Sequence, residues 1–478
     1  MSVVIGIDFG TCFSSVYFIH GDQYMPLTPR GEKSMIPTVF YHDDKQGSLS
    51  GKPALRAGRN KPAGLSEYIK RRYKEQNILL GDTSFSPEEI VSQIIRYLIQ
   101  GARESLQNQY HLDASELSAV LTIPVTYGEE WKKMLIHALQ ETGVKVHAVI
   151  QEPVAAAVCF LEENRSSNDT VLVYDLGGGT TDVTLLQRTG NKKNPYAVLS
   201  QEGDVIGGND WDDRLLVLIE RQFSEQMQDM SEDEKEQFFV KNHRRLLSLA
   251  REIKESLSEQ EIYDISYEIR GKLYDFHITR AEFEACTSSL LNRTIQTIHK
   301  VINGQKTFHD VILVGGGSHM PQVKVKIQQE FPDCNIRIIN PEFVVAMGAA
   351  RYAAIAAPVP VLLKSAHSYG IIFEDKNERK IRNLIYKNSA LPASGKYEWT
   401  PSGQFLQFAV HEDEFLKEKI VPLKQARYAL SVTIWFSQPP AAGTKCITKL
   451  ELDSSGLLKM TVLDQNGNEI SGTSVSIS

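Results

Sequence analysis

The sequence predicts an α/β fold of two similar lobes followed by a small all-β module. Three observations predict it: short apolar strands that each end in an acidic, glycine-rich turn, amphipathic helical stretches between them, and a loss of helical periodicity after residue 357.

The run Val3-Val4-Ile5-Gly6-Ile7 is short, apolar and β-branched, and it breaks at Asp8-Phe9-Gly10-Thr11, which reads as a buried strand entering a tight turn. Helical patterns follow over Pro87 to Gln107 and Glu129 to Thr142. Val171-Leu172-Val173-Tyr174 then repeats the first signal, ending in Asp175-Leu176-Gly177-Gly178-Gly179-Thr180-Thr181-Asp182 and continuing into the strand-like Val183 to Leu186. Two such strand-and-turn units imply an internal duplication, with each lobe offering one turn to a shared cleft. The charge-dense stretch Arg221 to Glu261 reads as a solvated helix pair. A third strand, Val311 to Val314, ends in Gly315-Gly316-Gly317-Ser318 and runs into a helix starting near Pro321. After the alanine-rich helix Ala346 to Ala357 comes an extended segment, Pro358-Val359-Pro360-Val361-Leu362-Leu363. From His367 onward, turn signals at Asn388-Ser389, Pro401-Ser402-Gly403, Ser454-Ser455-Gly456 and Asn466-Gly467 divide short alternating runs into an all-β module. The expected domains are therefore 1–357, a linker over 358–366, and 367–478.

A chain of 478 residues exceeds what one hydrophobic core usually supports, and 42% hydrophobic with 23% charged residues is the balance of a globular protein. The net charge of −7 argues against DNA held by phosphate contacts. Cys12, Cys159, Cys286, Cys334 and Cys446 show no C-x-x-C spacing, which speaks against a zinc site or a disulfide framework and fits a reducing cytoplasm. No signal peptide or membrane span is expected.

Phosphate is held by backbone N–H groups where small residues allow close approach, as Gly10-Thr11 and Gly177 to Thr180 do. Asp8 and Asp175, with Asp182 nearby, are hard oxygen donors suited to magnesium held through its waters. A lone turn of this kind is more often structural than a phosphate site. The matched pair, with a third glycine turn, reverses that reading. There is no Walker P-loop, because Gly51-Lys52 is followed by Pro53.

The runs Gly6-Ile7-Asp8-Phe9-Gly10-Thr11, Gln151-Glu152-Pro153-Val154-Ala155-Ala156-Ala157, Tyr174 to Val183 and Leu313-Val314-Gly315-Gly316-Gly317 resemble, in order and spacing, the signatures of the DnaK-like 70-kDa heat-shock chaperones. The likeness runs from Val3 to about Ala357 and continues more weakly through Leu384 to Asn388 and Leu452 to Leu458. It implies an actin-like, ribonuclease-H-like ATPase of two duplicated lobes, followed by a peptide-binding β-sandwich. By this resemblance Lys70 orients the attacking water, Glu152 lies near metal and water, Asp175 and Thr180 complete the catalytic set, and Asp8 and Asp175 hold Mg2+ through water, with K+ as a further ion. ATP or ADP contacts fall on Asp8, Gly10, Thr11, Cys12 and Phe13, on Gly177, Gly178 and Gly179, on Gly207 and Gly208, on Lys254 and Ser258, and on Gly315, Gly316, Gly317, His319 and Glu342. Pro124 and Lys132 resemble the relay to the linker, with Lys132 where the family usually has arginine, and Val361-Leu362-Leu363 resembles the docking linker, with Lys364 in place of an acidic residue. The implied partners are a J-domain co-chaperone and unfolded or extended peptide clients.

The chain also departs from that pattern. The nucleoside helix reads Arg251, Lys254, Glu255 and Ser258, and His319 replaces a second base-stacking arginine, so weaker nucleotide affinity is expected. The stretch from Lys70 to Pro87 is short, which reduces the outer part of the first lobe and predicts exchange without a dedicated factor. The β module is expected to lack the helical lid, so bound peptide should leave quickly. Two alternatives stay open: a non-catalytic relative acting as a scaffold, as ribosome-associated members do, and a sugar or acid kinase on the same scaffold. The kinase would leave the linker and β module unexplained.

Overall fold

The computed structural model describes residues 3–164, 170–269, 272–304, 308–355, 361–375, 378–401, 405–415, 418–435, 443–470 and 475–476. Strand Val3–Phe9 is the centre of the first sheet. Leu117–Ile123 pairs parallel on one side and leads to Lys145–Gln151, while Phe13–His20 and then Gln23–Pro26 pair antiparallel on the other. The second sheet repeats this order and these directions around Thr170–Leu176: Asp310–Val314 and Asn335–Ile338 are parallel, and Thr181–Arg188 and Tyr196–Asp204 antiparallel. The duplication expected from the paired turns is thus present as one topology used twice.

Continuous apolar runs suit strands covered on both faces, and Thr170–Leu176 is buried at every position. Two helices lie between the sheets. Glu152–Glu163, opened by a proline in its first turn, lies on Thr170–Leu176, and Val344–Ala354 lies on Val3–Phe9. They cross so closely that a Cβ on Gly348 would meet Ala155 O at 1.9 Å, and one on Gly6 would meet Ala346 O at 2.3 Å. Only glycine permits this layering, which fixes the strand that carries Asp8 against the second lobe.

The helical expectations hold with shifted ends. Pro87–Gln109 starts at a capping box between Ser86 and Glu89, and Glu129–Gln140 stops before Gly143, whose φ is +75°. The charge-dense region forms Gly208–Gln226 and Glu232–Glu259, but it is not merely solvated: Leu246, Ala250, Ile253 and Leu257 are buried at helical spacing.

Among the described residues of the C-terminal part the regular elements are strands and one short 3-10 turn, and the strands form two antiparallel sheets. The five-stranded one runs Ile420–Pro422, Glu378–Ile385, Ser368–Asp375, Phe405–Asp413, Arg427–Trp435, and the other Ala393–Trp399, Cys446–Leu452, Leu458–Leu463, Val475–Ser476. Asn388, Gly456 and Gly467, all in predicted turns, have φ of 65°, 74° and 85°. The turn residues Ser402 and Gly403 fall outside the described residues, as do the side chains of Phe405 and Trp435. Trp399 and Phe408 pack against the core with ring centroids 4.5 Å apart. Pro358 to Pro360 also lie outside, but Val361–Leu362 pairs parallel with Tyr196–Asp204 as the sixth strand of the second sheet. No helix among the described residues is long and apolar enough to cross a membrane.

Candidate nucleotide site

The glycine turns of the two lobes touch. A Cβ on Gly178 would lie 2.7 Å from Cys12 Sγ, one on Gly179 2.6 Å from Thr11 Oγ1, and one on Gly207 2.5 Å from Gly179 N. These glycines let three backbone segments approach one another, because any side chain would push them apart. Backbone bonds stitch the seam: Gly208 N–H donates to Gly177 O, Asn209 N–H to Gly178 O, both at 2.9 Å, and Gly177 N–H to Thr180 O at 3.0 Å. Thr11 and Thr180 are buried here. Gly315 (φ +79°) and Gly317 pack on Leu176, and a Cβ on Gly315 would lie 2.6 Å from Asp175 Oδ1. Gly10 turns against Phe13 O, whereas Gly316 faces open space and the Phe13 side chain is 44% exposed.

Beneath the seam lies a crowd of carboxylates around one lysine. Lys70, 2% exposed, donates from Nζ to Glu152 Oε1 at 2.6 Å and to Phe9 O at 2.9 Å, which uses two of its three N–H groups. Burial, then the neighbouring Glu152 charge, pushes Asp8 up to about 7. Burial and Glu152 likewise push Asp182 up to about 8 and Asp175 well above the carboxylate range, with Asp182 and Asp8 adding to the repulsion on Asp175. Asp8 and Asp175 therefore belong to one buried electrostatic cluster. Asp182 Oδ1 accepts from Val125 N–H at 2.9 Å, while Asp182 Oδ2 and Gln151 Oε1 are buried without a hydrogen-bond partner. Carboxylates buried this close together suit a cation, and buried oxygens without a protein partner suit water or a ligand. Among the described residues no three His, Cys, Asp or Glu side chains gather tightly enough to grip a metal directly. The set fits a hydrated ion beside phosphates.

Cross-cleft contacts that the sequence reading missed close the two lobes. Arg71 donates to Gly179 O at 2.9 Å and pairs with Asp210, and Arg244 donates to Pro62 O and, at 2.9 Å, to Leu65 O. Asp210 follows the Gly207-Gly208 pair and Arg71 follows Lys70, so adjacency to predicted residues was the available signal. Lys254 Nζ donates to Gly208 O at 3.1 Å and pairs with buried Asp212 at 2.7 Å, and Ser258 Oγ donates to Lys254 O. His319 and Glu342 pair with each other at 2.8 Å, and Glu255 is exposed.

Lys132 faces the β module, whereas Pro124 precedes Val125, whose N–H donates to Asp182. A path of contacts runs from Asp182 across a hydrogen bond to Val125, next to Pro124, and on to Tyr127, whose carbonyl faces His367 Nε2 at 3.3 Å. Lys132 Nζ lies 2.6 Å from both Glu129 Oε1 and Gly456 O. Glu129 also accepts from the Tyr369 hydroxyl at 2.9 Å, and its N–H donates to Glu412 Oε2 at 3.1 Å. Lys364 is used rather than tolerated: its ammonium donates to Leu199 O at 2.5 Å on the sheet that the linker joins.

Two duplicated lobes bring facing glycine turns together over buried acids and a lysine, an arrangement that could hold phosphate. The chain belongs to the Hsp70 family, whose model, described as Hsp70 protein, matches residues 66–469. It is 28% identical to the chaperone protein DnaK of Halobacterium salinarum over 97% of this chain and 74% of that one. It is 27% identical to a chaperone protein HscA homolog of Methylobacillus flagellatus, over 97% of this chain and 76% of the relative. It is also 30% identical to DnaK of Mycoplasmopsis synoviae over 74% of this chain and 59% of that relative.

Proposed function

We propose that this protein is a cytoplasmic chaperone that binds and hydrolyses ATP to control the binding of extended peptide on its β module, read as a peptide-binding sandwich, in company with a J-domain partner. The observation that carries the proposal is the buried Lys70–Glu152 pair beneath facing glycine turns. In this reading the turn amides of Gly10 to Cys12 and Gly177 to Thr180 hold the phosphates, and Thr180 adds its hydroxyl near the γ-phosphate. Asp8 and Asp175 would hold hydrated Mg2+ through its waters, where the ion would supply positive charge against the phosphates, and K+ would suit the same acidic surroundings. Glu152 fixes the Lys70 ammonium, which also lies over the Tyr127 ring at 5.8 Å to the centroid, and in this reading the ammonium offers its remaining N–H to a water or a phosphate oxygen. A second reading, a weakly catalytic scaffold, draws support from the base side: exposed Glu255 and His319, which pairs with Glu342, stand where the resemblance puts the two base-stacking arginines, so neither position offers a guanidinium to adenine.

Single-turnover ATP hydrolysis by wild type and Lys70→Ala tests the proposal. A fall of about a hundredfold or more in Lys70→Ala is expected for loss of a positioned charge. Equal rates would transfer the case to the scaffold. Release of a fluorescent peptide on adding ATP tests the coupling.

A further inference from the structure

The turn that delivers Lys70 is built in an unusual way. Tyr68 has φ +56° and ψ +36°, a left-handed conformation that a bulky aromatic residue rarely adopts. It immediately precedes the short helix Ile69–Arg72, and its carbonyl accepts from Arg71 N–H at 2.8 Å. Such a conformation persists only where neighbours hold it. Here the holder comes from the other lobe: the Arg251 guanidinium, on helix Glu232–Glu259, lies over the Tyr68 ring at 5.2 Å to the centroid. Arg251 also lies 4.0 Å from Glu67 and 3.7 Å from Asp212, so its charge is gripped by carboxylates of both lobes.

Four consecutive residues thus divide their attachments, the outer pair and the inner pair going different ways. Tyr68 and Arg71 are held by the second lobe, while Ile69 is buried in the first-lobe core and Lys70 reaches Glu152 and Phe9 O. When the lobes part, Tyr68 loses its cation and Arg71 its acceptor together. The left-handed turn is then unsupported, and Lys70, two residues on, is no longer aimed.

We infer that Arg251 and Tyr68 form a cross-cleft clasp that makes the placement of Lys70 conditional on lobe closure, so both are positioning residues for hydrolysis. The inference rests on the hydrolytic reading of Lys70. It gives Arg251 a task at the position where the family resemblance would have put a nucleoside contact.

Steady-state hydrolysis and backbone hydrogen exchange on the full chain test it. Arg251→Ala and Tyr68→Ala each lower kcat about tenfold with KM little changed, as loss of a partly desolvated cation–π contact predicts. The double variant falls no further than the worse single one, because the residues act as a unit. Arg251→Lys and Tyr68→Phe, which keep a cation and a ring, recover most of the rate. Tyr68→Gly removes the ring but welcomes the backbone conformation, so it stays as stable as wild type and still loses kcat. Retention of wild-type kcat in Tyr68→Gly, or a raised KM with unchanged kcat in Arg251→Ala, overturns the clasp. Amide exchange over residues 66–72 reads the same contact without catalysis and quickens in Arg251→Ala. Should wild type hydrolyse no faster than Lys70→Ala, the hydrolytic reading fails by itself, and unchanged exchange in Arg251→Ala would overturn the clasp separately.

Discussion

Lys132 Nζ lies 2.6 Å from the carbonyl oxygen of Gly456, so one ammonium of the first lobe is fastened to a turn of the β module. The same ammonium neutralises buried Glu129, which the Tyr369 hydroxyl approaches from the β module. Lys132→Ala removes the bridge and strands Glu129, a loss of about 3–5 kcal/mol for a buried pair. The expected result is a lower Tm and faster tryptic cleavage after Lys364. Unchanged cleavage would contradict the assignment of this contact to domain docking.

Gly348→Ala tests the helix layer between the sheets. Its new Cβ would meet backbone Ala155 O at 1.9 Å, and both partners are held in helices that cannot swing aside. Overpacking of this kind costs about 3 kcal/mol or more. Chemical denaturation should show the loss, and a change below about 1 kcal/mol would mean that the crossing yields.

Docking of the β module should weaken as pH rises. His367, 1% exposed, points Nδ1 at Glu414 Oε1 (2.9 Å) and Nε2 at Tyr127 O (3.3 Å), two acceptors that only the imidazolium satisfies together. Burial opposes that charge, but Glu414 and Glu412 outweigh burial and the nearby Arg427 and raise the imidazole above its usual value. Burial disfavours the Glu414 carboxylate too, yet His367 and Lys387 hold it low, while burial raises Glu412 and Asp413. A raised imidazole contributes stability below its free value and loses it as pH climbs through the docked one. Glu412 and Asp413 lose theirs in the same direction at lower pH. Small-angle scattering from pH 6 to 9 should therefore report expansion, and His367→Gln should flatten the response. A pH-independent wild type would refute the prediction.

Restoring arginine at the base side should tighten nucleotide binding. Glu255→Arg with His319→Arg supplies two planar cations, each worth about 1 kcal/mol in stacking, so ATP should bind tenfold or more tightly in calorimetric titration. Unchanged affinity would show that neither position faces the base.

Much of this was legible in the residues because the informative signals are local. The strand ending at Asp8 and that ending at Asp175 announce themselves by β-branched runs and glycine, and the seam between Gly178 and Cys12 follows from them. The clasp was not legible: no pattern says that Tyr68 is left-handed or that Arg251, within an outwardly charged helix, turns to meet it. Such pairing spans almost two hundred positions and depends on how two lobes close. The role of Lys364 was equally hidden, since its partner is a backbone carbonyl, which has no sequence signature.

The short strand Val361–Leu362 completes the second sheet by lying along Tyr196 and Ala197. If it is withdrawn, those residues become a bare sheet margin, and bare margins recruit other extended chains. Release of the β module and a tendency to self-associate would then be one event, so the freed form should grow stickier with concentration while the fastened form stays solitary.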